Sequence, residues 1–261
     1  MSYHSLASDL PDANLPPCHV GVVFALALEA GALEDKLAGK IAVRGSHFTA
    51  WQGGLKGRGV VIVHSGVGQK NAAMAAAALI VGHKPRWLIS AGLAGGLHPS
   101  VKRGDIIMPD CILGEDGRRL AIDFDISPQQ KAATPGLHVG PLMTIDRVVF
   151  KAAEKLALGQ QQGALAVDME TLALAEECRR EKQRFLAVRV ISDPVDEELP
   201  ADIERLVTRK TWARRIGATA GSIIRRPSTV KDLWRFRETA LACSLKLANF
   251  LEGVIEQLGS T

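Results

Sequence analysis

The sequence predicts an α/β protein, a three-layer α/β/α sandwich around a mixed, mostly parallel sheet. Three observations predict it. Apolar runs of strand length alternate with longer runs of helical composition. The strand runs are nearly continuous in apolar residues, as in sheets covered on both faces. Glycine-rich or acidic stretches follow them, and open α/β sheets bind ligands at those strand ends. At 261 residues, 47% hydrophobic and 23% charged, the chain is long enough to bury such a core and has an ordinary globular composition.

The elements follow in order. Residues 1–17 have acidic residues and prolines where a signal peptide needs a basic start and an apolar middle, so they read as a loose leader to a cytoplasmic protein. A single domain is expected over residues 18–261. "HVGVVFAL" is a buried strand, and "ALEAGALEDKLAG" a helix ended by Gly39. "GVVIVHS", residues 59–65, is the next strand, followed by a glycine turn and the alanine-rich helix of "GVGQKNAAMAAAALIVGHK". "RWLISAG" and "GDIIMPD" are strands, and a less regular stretch runs to about Leu142. "DRVVFKAAEKLAL" is helical, "GALAVD" a strand, "METLALAEECRREK" a helix and "RFLAVRVISD" a strand.

From about residue 201 the pattern becomes a helical extension, punctuated by Pro227. In its last helix Leu233, Phe236, Ala240, Cys243, Leu247, Phe250, Val254 and Leu258 recur at steps of three and four, one apolar face that must be buried. The net charge of +4 is unevenly spread: residues 201–237 hold ten Lys or Arg against three acids, a local +7. Such a segment is a solvated face or a contact for an anionic membrane surface. No run is long and apolar enough to span a bilayer, and no recognised nucleic-acid module is present. Four dispersed cysteines and seven histidines show no ligand spacing, so neither disulfides nor a metal site are expected.

At the predicted strand ends stand Glu29, "SGVGQKN", "SAGLAGG", "VDMET" and "ISDPVDE". The glycine stretches are expected to be turns that bare their backbone to a ligand, Gly92, Gly95 and Gly96 above all. Asn71 breaks the dinucleotide fingerprint, and neither stretch has the GK[ST] of a P-loop.

Together these stretches resemble the purine nucleoside phosphorylase and nucleosidase superfamily, from about Cys18 to Pro200. "GVVFALALEA", "HSGVGQKNAA" and "SAGLAGGLHPSVKRGDIIMPD" are similar to the first turns of methylthioadenosine/S-adenosylhomocysteine nucleosidases, and "AVDMETLALA" and "VRVISDPVDE" to their ribose-binding and acid-bearing segments. The resemblance implies a nucleoside phosphorylase-like fold, a homo-oligomer, and an enzyme that cleaves the N-glycosidic bond of a purine nucleoside without a bound cofactor.

By the same resemblance Asp193 is the general acid to N7 of the base, or else a cap for the next helix. Glu170 clamps the ribose hydroxyls and Met169 lies against the sugar. Asp168 stands where relatives have Glu, a helix N-cap being the plainer reading. Glu29 activates water, or is an ordinary first-turn helix acid. Ser192, Ala94, Gly95 and Val148 line the substrate, with Val148 replacing the aromatic ring that stacks on adenine in relatives.

Hydrolysis is favoured because Leu93 stands where a phosphorylase has Ser or Thr. Inorganic phosphate is the co-substrate in the alternative, with Ser65, Gly66, Ser90 and Lys70 near it. "VRVISDPVDEELP" and "SIIRRPSTVKDLW" further resemble hopanoid-associated phosphorylases, which implies a lipid-linked substrate, adenosylhopane, and a membrane-facing use for the basic segment with Trp212, Trp234 and Phe236. A catalytically silent nucleoside-binding relative is the remaining alternative.

Overall fold

The computed structural model describes residues 18–44, 48–124, 126–199 and 227–258, with no side-chain account of 44 and 227–236. The leader, the basic stretch 201–226, and the aromatic side chains of Trp212, Trp234 and Phe236 lie outside the described residues.

The chain opens with β1 (Cys18–Phe24), α1 (Ala27–Glu34), β2 (Ala38–Arg44), β3 (Thr49–Leu55), β4 (Arg58–His64) and α2 (Gln69–His83). It continues through β5 (Trp87–Gly96), β6 (Ile106–Met108), β7 (Cys111–Gly114), β8 (Arg119–Ala121), α3 (Pro128–Ala132), β9 (Leu137–Val139) and β10 (Leu142–Thr144). The last elements are α4 (Ala152–Gln162), β11 (Ala166–Asp168), α5 (Thr171–Arg180), β12 (Arg184–Asp193) and a long helix α6 (Pro227–Gln257).

The strands form one mixed sheet in the order β2-β3-β4-β1-β5-β11-β10-β7-β8, with β12, β6 and β9 branching from it. Alternate residues of the central strands feed opposite layers: Val20, Val22 and Phe24 join the core beneath α1 and α6, and Val23 joins Ala72, Ala75, Ala76 and Leu79 of α2. Both faces are therefore buried, the condition under which strands lose their polar alternation.

β5 is the hub. On one edge it pairs along its length with β12, from Trp87 opposite Arg184 to Gly95 opposite Asp193. On the other it pairs in parallel with β1 only as far as Ser90, then antiparallel with β11 from Gly95. Between these two neighbours, residues 91–94 have no strand partner on that edge.

Several expectations shift. "SAGLAGG" is the second half of β5, not a turn: its glycines are strand residues that other chain segments approach closely. The first helix ends at Glu34, because β2 begins at Ala38 and pairs in a hairpin with β3 that the sequence reading passed over. α4 starts at Ala152 instead of Asp146. On α6, the buried face carries Ala240, Cys243, Leu247, Leu251, Ile255 and Leu258, with Phe250 and Val254 only partly buried against the core. The apolar stripe thus belongs to the protein's own core from residue 240 onward. Ser244 on that face donates to the Glu29 carbonyl at 2.8 Å, tying α6 to α1. The four cysteines are free thiols, and burial pushes that of Cys18 up to about 12.

If α6 is part of the core, Leu251→Ala should cost about 2–5 kcal/mol of unfolding free energy. Leu245→Ala, at a site 55% exposed on the same helix, should change it by less than about 0.5 kcal/mol. Equal effects in chemical denaturation would show that α6 is not packed as described.

Candidate active site

The gap on the edge of β5 creates a demand, because buried backbone donors must be paired. The Leu93 N–H, unclaimed by β1 or β11, donates to Glu29 Oε1 at 3.0 Å. The other oxygen, Oε2, accepts from the Leu26 N–H at 2.9 Å, at the start of α1. Glu29 is thus a first-turn helix acid and a strap across the fork in the sheet at once. Its oxygen would lie 3.1 Å from a Cβ at Gly92, so the absence of a side chain there makes the approach possible. Only 7% of Glu29 is exposed. Burial pushes its carboxyl above the ordinary carboxylate range, against the two N–H donors and the more distant Arg189.

Glu170 ends the short connection from β11 to α5. Its carboxylate accepts the Gly68 N–H at 2.8 Å, where Gly68 adopts φ +101° just ahead of α2. Burial, then the neighbouring charges of Asp168 and Glu29, raise Glu170 to about 8. Glu29 and Glu170 line one cavity of about 10 Å³ together with Ser65, Ser90, Gly92, Leu93 and Arg189. That volume is about one water position.

Asp168 and Arg189 underlie this cavity. Arg189 Nε and Nη2 donate to Asp168 Oδ2 at 3.0 and 2.8 Å, and Nη2 also reaches Ser90 Oγ and Thr171 Oγ1, each at 2.7 Å. Asp168 accepts from Thr144 Oγ1 at 2.6 Å and from the first N–H of α5, that of Thr171, at 3.0 Å, although the N-cap position itself is Glu170 and not Asp168 as expected. Asp168 is also the counter-ion of a guanidinium only 3% exposed. Arg189 was missed by the sequence reading. Its signal was a charge inside the apolar run "LAVRVIS", since a buried charge must be paired to persist.

Asp193, the last residue of β12, stands opposite Gly95 of β5 and does not line the cavity of Glu29 and Glu170. A register shift between Ile191 and Asp193 makes Ser192 an extra residue in the pairing, a bulge that turns the Asp193 side chain toward Gly95. A Cβ on Gly95 would meet Asp193 Oδ2 at 3.2 Å. The space over Gly92 and Gly95 is therefore occupied by the protein's own carboxylates rather than left bare for a ligand. Asp193 pairs with the Lys155 ammonium at 2.5 Å, and Ser192 Oγ donates to its other oxygen. Burial raises its carboxyl, opposed chiefly by Lys155.

The remaining candidates are placed as follows. Ser65 faces the cavity with its hydroxyl donating to the Gly66 carbonyl at 2.8 Å, and Gly66 is in the left-handed region at φ +82°. Met169 is half-buried beside Glu170. Ala94 is buried opposite Ile191. Val148 is half-buried in the non-helical connection before α4, and Lys70 is exposed on the first turn of α2, outside the cavity lining. No cluster of His, Cys, Asp and Glu among the described residues is arranged to hold a metal ion.

The sequence profile of the phosphorylase superfamily matches residues 19–225. A 5'-methylthioadenosine/S-adenosylhomocysteine nucleosidase of Staphylococcus aureus is 28% identical over 214 residues, spanning 73% of this chain and 92% of its own length. Among solved structures, the nucleosidase of the same name from S. pneumoniae, bound to a transition-state inhibitor, superposes with a TM-score of 0.71 at 20% identity, over 92% of this chain and 99% of that one. The Neisseria meningitidis enzyme, in complex with methylthio-immucillin-A, gives a TM-score of 0.68 at 23% identity, over 93% and 99%. At these identities the structures speak for the fold, which is the nucleosidase fold with its open mixed sheet. With most of the chain covered by the profile, from β1 past the carboxylates at the fork of β5, the protein belongs to the phosphorylase superfamily.

Proposed function

We propose that this chain cleaves the N-glycosidic bond of a purine nucleoside, with water as the nucleophile. The observation that carries the reading is the shared cavity of Glu29 and Glu170, water-sized and set at the fork of the sheet. Glu29, held by two N–H donors and raised by burial above the ordinary carboxylate range, is a stronger base than an exposed carboxylate. Water would attack C1′ as its proton passes to Glu29. The bond from C1′ to N9 breaks with its electron pair moving into the base, and Asp193 gives its proton to N7. Glu170 would accept the ribose hydroxyls, which return donors to a carboxylate that burial has made costly to ionise.

Electrostatics favour water over phosphate. A phosphate dianion in this cavity would face two carboxylates, and the guanidinium nearby is already engaged by Asp168. The apolar Leu93 offers only its backbone N–H, and Glu29 has taken it. The substrate class we infer is a 5′-substituted adenosine, since the named relatives act on 5'-methylthioadenosine and S-adenosylhomocysteine. Adenosylhopane, implied by the likeness to hopanoid-associated phosphorylases, belongs in the same assay, with and without phosphate.

Adenine release should fall by about 10²–10⁴ in Asp193→Asn, the usual worth of a positioned acid, with nucleoside-analogue affinity retained. Unaltered turnover would remove Asp193 from the role. Glu29→Gln should abolish release in phosphate-free buffer. Full activity of that variant, or wild-type release that requires added phosphate, would replace hydrolysis by the phosphorylase reading. Tight nucleoside binding with no release under any condition would make the chain a binding protein.

Glu170 supplies a pH test. Its carboxyl is raised from 4.5 to about 8 in the folded chain, so between those values the folded state holds a proton that the unfolded state has released. The stability this contributes is complete below pH 4.5 and is lost as pH rises through 8. The melting temperature of Glu170→Gln minus that of wild type should therefore increase from pH 5 to 8.5. A constant offset would show that Glu170 titrates normally.

A further inference from the structure

Lys155 is a lysine with no solvent exposure, an environment the ammonium ion tolerates only when all its protons are bonded. They are: Nζ reaches Asp193 Oδ2 at 2.5 Å, the Glu197 carbonyl at 2.8 Å and the Pro194 carbonyl at 3.2 Å. Three donors meet three acceptors, and all three acceptors lie within five residues at the end of β12. The helix carrying Lys155 is pressed against the end of β5 one turn further on. A Cβ at Gly159 would come within 2.2 Å of the Leu97 carbonyl oxygen, so only glycine permits this approach. The tied segment is braced from its other side as well. The Glu197 carboxylate pairs with Arg103, which donates to Thr239 Oγ1 of α6 at 3.2 Å.

We propose that Lys155 is the positioning residue for Asp193: it sets the orientation of that carboxyl, locks the turn that follows, and governs by its charge the proton held there. The inference rests on the reading of Asp193 as the acid. The groups facing Asp193 from the surrounding elements are Lys155 from α4, the Ser192 hydroxyl from β12, Arg103 with its partner Glu197, and the Cys243 thiol from α6. Lys155 makes the closest of these charged contacts, and an opposite charge at this range lowers a carboxyl pKa by about 1–3 units. The pair has a functional consequence. A cation on the acid weakens its hold on the proton, which helps delivery to N7, while burial acts in the opposite direction and favours the protonated form.

The pH dependence of adenine release separates this role from a merely structural one. In Lys155→Met, of similar length without the charge, the alkaline limb of kcat should move to higher pH by about 1–3 units. Plateau turnover should fall, because the carboxyl is no longer held, and analogue affinity should change much less. Lys155→Arg should leave the limb near its wild-type position. Lower activity in Lys155→Met with an unmoved limb, or a limb displaced to lower pH, would overturn the proposal. The wild-type protein labelled with ¹⁵N-lysine gives a second measurement that needs no stable variant at Lys155. The Nζ resonance should be observable through slow proton exchange, and its chemical shift should change as Asp193 loses its proton across the alkaline limb of turnover. Its failure to respond across that limb would also overturn the proposal. Full turnover in Asp193→Asn would instead remove the reading of Asp193 as the acid, a separate failure.

Discussion

The site depends on a change of neighbour along one strand. β5 leaves β1 after Ser90 and meets β11 at Gly95, and the interval has backbone donors but no strand to receive them. A buried N–H without an acceptor costs roughly 1–3 kcal/mol, so an acceptor has to come from elsewhere. It is the carboxylate of Glu29, reaching across from the first turn of α1. The same gap that would weaken a continuous sheet holds a carboxylate in place within the protein. Helix α1 is fixed in turn by Ser244 of α6, so the terminal helix contributes to the position of Glu29 without approaching it with a charge.

Four carboxylates gather around this fork, and they are treated in two ways. Asp168 and Asp193 have buried cations, Arg189 and Lys155. Glu29 and Glu170 have only backbone N–H donors and more distant charges. The first arrangement costs desolvation of both ions and is sensitive to loss of either partner. The second leaves the ionised form short of compensation, so burial raises both glutamates. The two glutamates without a buried cation are the ones that line the water-sized cavity, whereas Asp168 and Asp193 lie outside its lining, each held by its cation. The glycines of β5 serve both arrangements, because Glu29 lies over Gly92 and Asp193 over Gly95.

Much of this was legible in one dimension. β12 was read with the boundaries it has, and β4 and α5 within one or two residues, because an apolar run closed by charge or glycine is a local signal. The β2–β3 hairpin was not, since "TAWQGGL" is neither continuous nor alternating, and β3 is defined by its pairing with β2 on one edge and β4 on the other. The stretch 146–151 precedes α4, and its Asp, two Val and Phe are among the weaker helix formers, so the helix begins only with the alanines at 152. Lys155 in "KAAEKLAL" has the pattern of a solvated helix face. Its burial comes from Gly159 letting α4 close on Leu97, a contact between residues 62 positions apart.

The sequence by itself determined the class of the fold, the order of its main strands and the identity of the carboxylates that follow them, because each follows from local periodicity and from residue types with few physical uses. Which edge of β5 is left open, which carboxylate takes its N–H, and which acids receive a buried cation were decided by the tertiary structure. Those are pairings between segments about 20 to 100 residues apart. Their strength depends on distance and dielectric at the point of contact, quantities that do not exist until the chain has folded.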